Sequence, residues 1–460
     1  MNKEALDQLA SGVRGAVVTA GDDRYDEARR LWNGTVNKKP AVIVKCQGVA
    51  DVIDAVRFAR REGLGVSIRG GGHHVAGGAV LDGGLVIDLS LMRSVRLDPA
   101  AGTARAEGGA LIGDVDRETT AHGLFVPMGL FSKTGIAGIT LAGGLGWLRR
   151  KYGMSCDNLI SADVVTADGN LVKASATENA DLFWALRGGG WDMGVVTSFE
   201  YQAHPIPPEV FFMLVAYPLT DAKLVLQAFR KYVASAPDEA GPIPIIWTFA
   251  SSEPYPEEVW GKPFIGVAGT YAGTAEDGER AYKPLRELAT PMLDMSEAMP
   301  YLAVQHLFDE EYPDGRRYYW KSSYLKGLDD AAVDTLVDFG ARRPSPLSSV
   351  DVWSLGGAIA RVGAKDTPIA HRSAEFLIGI EANWDDPSDD DANKAWARGL
   401  AKALEPHSTG GSYLNFEDLS ETAAAANSHG PNFDRLVAIK RRYDPDNLFR
   451  SGRSLGGHGN

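Results

Sequence analysis

Glycine is crowded into four places in this chain, at 70–72, 77–78, 143–146 and 188–190, all within the first 190 residues. A residue that loses so much conformational freedom on folding is retained where the backbone must take positive φ or pass close to something else. In such loops successive N–H groups converge into a nest that holds an anion, and a pyrophosphate suits it. Arg69 precedes the first run and adds a positive charge beside it. Tight turning alone explains any one run; four together argue for a bound phosphate ester.

Context excludes two common phosphate binders. The G-x-G-x-x-G turn of a nicotinamide-binding fold opens a helix, whereas His73-His74-Val75-Ala76-Gly77-Gly78 runs on toward another strand. Ser132-Lys133-Thr134-Gly135 contains Lys-Thr without the upstream glycine of a nucleotide P-loop. Apolar periodicity predicts a strand at 41–44, a helix at 49–61, strands at 65–68, 85–88 and 103–107, and a helix at 111–122. Asp168-Gly169, between apolar runs at 160–166 and 171–173, predicts an antiparallel hairpin. A helix at 179–186 and a strand at 195–201 lead to the proline cluster His204-Pro205-Ile206-Pro207-Pro208. Strands at 212–217, 245–250 and 264–271 then alternate with helices, without further glycine-rich loops. A chain of 460 residues exceeds one hydrophobic core. The expected organisation is α+β, with a first unit over 1–207 completed by the tail at 420–460, and a second, lid-like unit over 208–419.

Charge and cysteine content narrow the chemistry. The net charge of −13, with no dense Lys/Arg patch, argues against a nucleic-acid partner. No stretch has the apolar length of a membrane span, and the start shows no secretory pattern, so the expected location is the cytoplasm. Cys46 and Cys156 are read as two buried thiols, so redox work must come from a cofactor. The acidic run Asp385 to Asp391 is interrupted by Pro387 and Ser388 and reads as a solvated loop, with no metal expected.

The motifs, in their order, resemble the FAD-linked oxidases of the vanillyl-alcohol oxidase superfamily, in the berberine-bridge-enzyme-like branch. Its carriers are Arg69-Gly70-Gly71-Gly72-His73, Pro127-Met128-Gly129, Gly135-Ile136-Ala137-Gly138, Gly143-Gly144-Leu145-Gly146, Asp157-Asn158-Leu159 and Gly194-Val195-Val196-Thr197. Tyr413-Leu414-Asn415-Phe416 and Tyr443-Asp444-Pro445-Asp446-Asn447 complete the set. The resemblance spans nearly the whole chain. It implies a two-subdomain FAD-binding unit of the PCMH type and a substrate domain with a mostly antiparallel sheet covered by helices. It also implies one covalent bond from His73 to the 8α carbon of FAD, with His74 as the rival. Phe131 stands where many relatives carry a second, cysteine tether, so a single link is expected. Further cofactor contacts are implied for Arg69, Gly70, Gly71, Gly72, His74, Thr134, Gly135, Gly138, Gly143, Gly144, Asp157, Asn158, Gly194, Val195, Val196 and Asn415.

The reaction implied is oxidation of an alcohol, amine or activated C–H of a small organic substrate, with oxygen as acceptor. A dehydrogenase using another acceptor and a non-catalytic flavin-binding protein remain the alternatives, and a homodimer is allowed for. The carboxylate base of some relatives falls at Trp353, and tyrosines of others fall at Leu145 and Phe416. Asp351, two residues from Trp353, shares its face on a strand. Asp351 is therefore a candidate base, and Glu381, between Ile380 and Ala382 where an unpaired carboxyl is costly to bury, is a second. Tyr413 and Asn415 are candidate hydrogen-bonding groups, and Lys133 is a candidate cation near the flavin's reactive edge.

Overall fold

The computed structural model of the chain describes residues 3–418 and 423–451. The first 205 residues form two larger sheets and a two-stranded ribbon of Leu124–Phe125 with His204–Pro205. In the smaller of the two sheets, Ala16–Val18, Val42–Lys45, Leu85–Asp88 and Val66–Arg69 lie side by side, the last three parallel. Parallel pairing needs a crossover, supplied by the helix Val49–Glu62. It packs Val52, Val56 and Ala59 inward and stops at Gly63, whose φ of +68° gives the left-handed turn a helix end favours.

The second sheet is antiparallel, ordered Val95–Asp98, Thr103–Glu107, Val195–Gln202, Leu159–Val165, Leu171–Ser175. Its last two strands form the expected hairpin, where Gly169 takes φ +75° and its N–H donates to Thr166 O. The edge strand Val95–Asp98 was not foreseen; its alternating Val and Leu are half-buried and its Arg and Asp exposed, over only four residues.

The third sheet has eight antiparallel strands. Its central run is Val210–Pro218, Pro263–Thr270, Ile243–Thr248, Ser349–Ser354, Phe376–Trp384 and Arg317–Leu325. Side chains alternate between its faces. Ile246, Val350, Val352, Ile380 and Ala382 are buried on one side against the helices Ala222–Val233, Asp330–Ala341 and Asp390–Ala403. Ile245, Trp247, Asp351, Trp353, Glu381 and Trp320 point the other way, into a cavity. Mixed α and β with a largely antiparallel sheet under helices is the expected class.

The tail returns to the first sheet. Val66 donates to Leu448 O and accepts from Arg450 N, so 448–450 runs along the edge of Val66–Arg69. Lys440, buried, pairs with Asp444 and donates to Asp192 O and Phe449 O. The boundary expected at 419/420 and the end beyond Ser451 lie outside the described residues. Among those residues no helix is long and apolar enough to cross a membrane. Cys46 and Cys156 are buried and unbridged.

Candidate active site

One long cavity of about 1650 Å³, partly open to solvent, runs from the glycine loops to the face of the large sheet. At its first end the loop following Val66–Arg69 crosses the loop preceding Ile136–Leu141. A Cβ on Gly71 would sit 2.5 Å from Gly135 N, and one on Gly135 2.3 Å from Gly71 N, so the crossing requires both glycines. Gly70, Gly71, Gly72, Thr134, Gly135, Gly138, Gly194 and Val196 line this end. The hydroxyls of Ser67 and Ser451 are buried there without a hydrogen-bond partner. An unpartnered buried hydroxyl costs about 1–3 kcal/mol. Two of them among backbone-lined loops fit the polar parts of a dinucleotide such as FAD.

The two histidines have different surroundings. His74 accepts at Nδ1 from Ala76 N (3.2 Å) and its Nε2 lies 3.0 Å from Leu414 O. An N–H donor on Nδ1 leaves the proton on Nε2, so both nitrogens are engaged. Its ring also meets Trp191 edge-on, at 4.6 Å. His73 is held instead by stacking, with Trp32 4.2 Å away at 17°, and Phe131 lies 6.4 Å beyond. Burial pushes the His73 imidazole down to about 4, so it is neutral at ordinary pH.

Toward the large sheet the lining becomes aromatic. Ring contacts run from Phe131 to Tyr312 (4.6 Å), Trp320 (5.9 Å), Phe416 (5.5 Å) and Trp353 (5.7 Å). Trp147, Trp247 and Phe308 add to the wall, and no Lys or Arg is among the described lining residues. Asp351 and Glu381 are set within it. Strand pairing puts Asp351 opposite Gly379, diagonal to Glu381, and the two carboxyl groups contact each other. A Cβ on Gly379 would make ordinary van der Waals contact with Asp351, Trp353 and Phe416, at 3.5–3.6 Å. Asp351 and Glu381 are only 6% and 3% exposed.

Burial raises the Asp351 carboxyl to about 7. Burial, and then the charge of Asp351, raises Glu381 well above the usual carboxylate range. Two carboxyls in contact do not both ionise. The pair therefore holds a shared proton well above the usual carboxylate range. Tyr312 OH, 2.7 Å from Glu381 Oε2, braces the pair.

Tyr413 and Asn415 also line the cavity. The Tyr413 oxygen accepts from Gly144 N, Leu145 N and Asn415 Nδ2 at 2.9–3.1 Å, and burial pushes this phenol up to about 12. It remains protonated and orients Asn415. Leu145 and Phe416 present apolar surface to the cavity.

Several expected site residues do not line it. Lys133 is exposed and lies 3.9 Å from Glu310, because its loop turns outward after Phe131. Arg69 donates Nη1 to Ala28 O. Gly143 and Gly144 take φ +121° and +94° to bring their backbone under Tyr413. Val195 is buried between sheets. Asn158 binds Tyr152 O, Met154 O and His204, while Asp157 takes a two-point ion pair with Arg372, both contacts at 2.7 Å.

Arg372→Met, which leaves the Asp157 carboxylate buried without its partner, is expected to cost about 3–5 kcal/mol in urea unfolding. A loss below 1 kcal/mol would show that solvent or Arg187 replaces the pair.

Sequence reasoning missed Trp32, Ser67, Tyr312, Trp320 and Ser451. The alternation in Tyr318-Tyr319-Trp320 and Ile243 to Trp247 carried a period-2 signal for two cavity walls. Trp32 lies in a short irregular stretch with no pattern.

A cavity that joins a glycine-lined dinucleotide groove to an aromatic pocket with one titrating carboxyl pair defines a flavin-dependent oxidoreductase. Comparison with known proteins agrees. The FAD binding domain model matches residues 40–175, and the berberine and berberine-like model residues 412–456. An uncharacterized FAD-linked oxidoreductase of Bacillus subtilis is 31% identical over 96% of this chain and 97% of its own. The (R)-6-hydroxynicotine oxidase of Paenarthrobacter nicotinovorans is 30% identical over 95% and 96%. The crystal structure of 6-hydroxy-D-nicotine oxidase from Arthrobacter nicotinovorans superposes with a TM-score of 0.86 at 28% identity, covering 96% of this chain and 98% of its own. The chain belongs to the berberine-like family of FAD-linked oxidoreductases.

Proposed function

We propose that this enzyme uses FAD, tethered once through His73, to oxidise a compact, mostly apolar organic alcohol or amine, with oxygen as the final acceptor. The contact between Asp351 and Glu381 inside an aromatic pocket, continuous with the groove that carries His73, is the observation that supports this most. In this reading residues 1–207 and 420–460 form the FAD-binding unit and 208–419 the substrate unit.

Bound FAD supplies a two-electron acceptor. The protein's part is to seat the substrate and take its proton. Trp320, Phe416 and Trp353 offer flat apolar faces that order a small ring or chain and exclude water. The described lining residues include no Lys or Arg to pair with an anionic substrate. Ionised Asp351 accepts the O–H or N–H proton, while protonated Glu381 and the Tyr312 hydroxyl hold it in place. Asn415 gives both Nδ2 hydrogens to Tyr413 OH and Ile139 O, which leaves its Oδ1 to accept a hydrogen bond. Gly70 to Gly72, Thr134, Gly135, Gly138, Gly194, Val196, Ser67 and Ser451 would hold the cofactor.

The test is anaerobic mixing of the purified yellow protein with panels of alcohols and amines. Bleaching of the flavin absorbance, followed by peroxide formation on admitting air, is the expected result. A flavin that no candidate bleaches, though dithionite does, would favour a binding role. Bleaching without peroxide would point to another acceptor.

A further inference from the structure

The His73 ring is the outer member of a three-ring stack that crosses between parts of the fold. Trp32 lies face-on between His73 (4.2 Å, 17°) and Tyr318 (3.7 Å, 13°). Its position is determined on every side. The indole N–H donates to Tyr312 O at 2.9 Å, the Trp32 carbonyl accepts from Gly315 N at 2.8 Å, and the side chain is 4% exposed. Asn33 next to it donates to both Val75 O and Tyr318 O and accepts from Tyr318 N, stitching the chain after His73 to the strand Arg317–Leu325. Trp32 and His73 come from the glycine-loop side, and Tyr312 and Tyr318 from the large-sheet side. The stack therefore exists only when the two are docked.

An imidazole on a single bond to Cβ is otherwise free to rotate through broad wells. Stacking confines it to one plane. We infer that Trp32, braced by Tyr318, is a positioning residue for flavin attachment, holding His73 in the plane from which it bonds and so delaying attachment until the large sheet has docked. This rests on His73 being the attachment point.

The attachment it serves joins an imidazole nitrogen to the 8α carbon. A C–H proton leaves that carbon and the imidazole loses its N–H proton. The electron pair of the broken C–H bond passes to the ring system, which takes up two protons and ends reduced. Molecular oxygen then takes the two electrons and two protons as hydrogen peroxide. A neutral imidazole is the form this bond needs, in keeping with the burial of His73.

The experiment compares wild type, His73→Ala, Trp32→Ala, Trp32→Phe and Tyr318→Ala as purified holoproteins. It reads total flavin, the fraction that stays with the chain after acid precipitation, and the time course when FAD is added to protein expressed under flavin limitation. Trp32→Ala should bind flavin but attach it about tenfold more slowly, in line with the strength of an aromatic stack. Trp32→Phe should restore attachment, and Tyr318→Ala should fall between. Attachment in Trp32→Ala as fast and complete as in wild type overturns the inference. If Trp32→Ala fails to fold, unchanged attachment in Tyr318→Ala overturns it instead. Attached flavin in His73→Ala would refute the tether reading, a separate result.

Discussion

Asp351→Asn is expected to slow flavin reduction by substrate about 10²- to 10⁴-fold, the usual contribution of a positioned general base. The exchange keeps the shape of the side chain and removes its capacity to take a proton. In the wild type the rate should climb with pH through about 7 as Asp351 ionises, then level off. In the variant that limb should vanish. Stopped-flow bleaching under nitrogen, from about pH 5 to about pH 9, measures both. A variant within threefold of wild type, or one that keeps the limb, would move the base elsewhere. The same shift acts on folding with a definite sign. Asp351 binds its proton more tightly folded than unfolded, so its contribution to stability is fully present below 3.8 and is lost as pH rises to about 7.

Complete loss of chain-bound flavin is the expected result of His73→Ala, with no such loss in His74→Ala. Both imidazoles line the cavity, yet only His73 lacks a role in tying loops together. His74→Ala removes the bond to Leu414 O and is expected to cost about 1–3 kcal/mol of stability instead. Acid precipitation followed by peptide mapping distinguishes the two variants. Flavin should remain bound non-covalently in His73→Ala, because the crossing at Gly71 and Gly135 and the hydroxyls of Ser67 and Ser451 are untouched. An adduct persisting in that variant would rule out the tether.

Local signals in the chain carried far. The helix at Val49–Glu62 follows from its apolar spacing, and the hairpin at Asp168-Gly169 from turn chemistry that depends on neighbouring residues alone. The glycine clusters marked places of close backbone approach, and the cavity begins at Gly70 to Gly72 and Gly135. Motif matching was less discriminating within that site. It grouped Asp157, Asn158, Gly143 and Gly144 with cavity-lining residues, although their observed partners are Arg372, His204 and Tyr413. A motif records that residues recur together, whether they meet a ligand or hold the loop that does.

By itself the sequence determined the period-2 and helical segments, the glycine clusters and the histidine pair, since each depends on residues a few positions apart. Tertiary structure alone decided which histidine is free of loop-tying bonds, why Asp351 titrates near neutrality, and where Trp32 sits. These depend on contacts between Asp351 and Glu381, 30 residues apart, and between Trp32 and Tyr312, 280 apart. A carboxyl's proton affinity is set by the dielectric and charge around it, and a ring's orientation by what stacks on it. Neither is a property of the local chain.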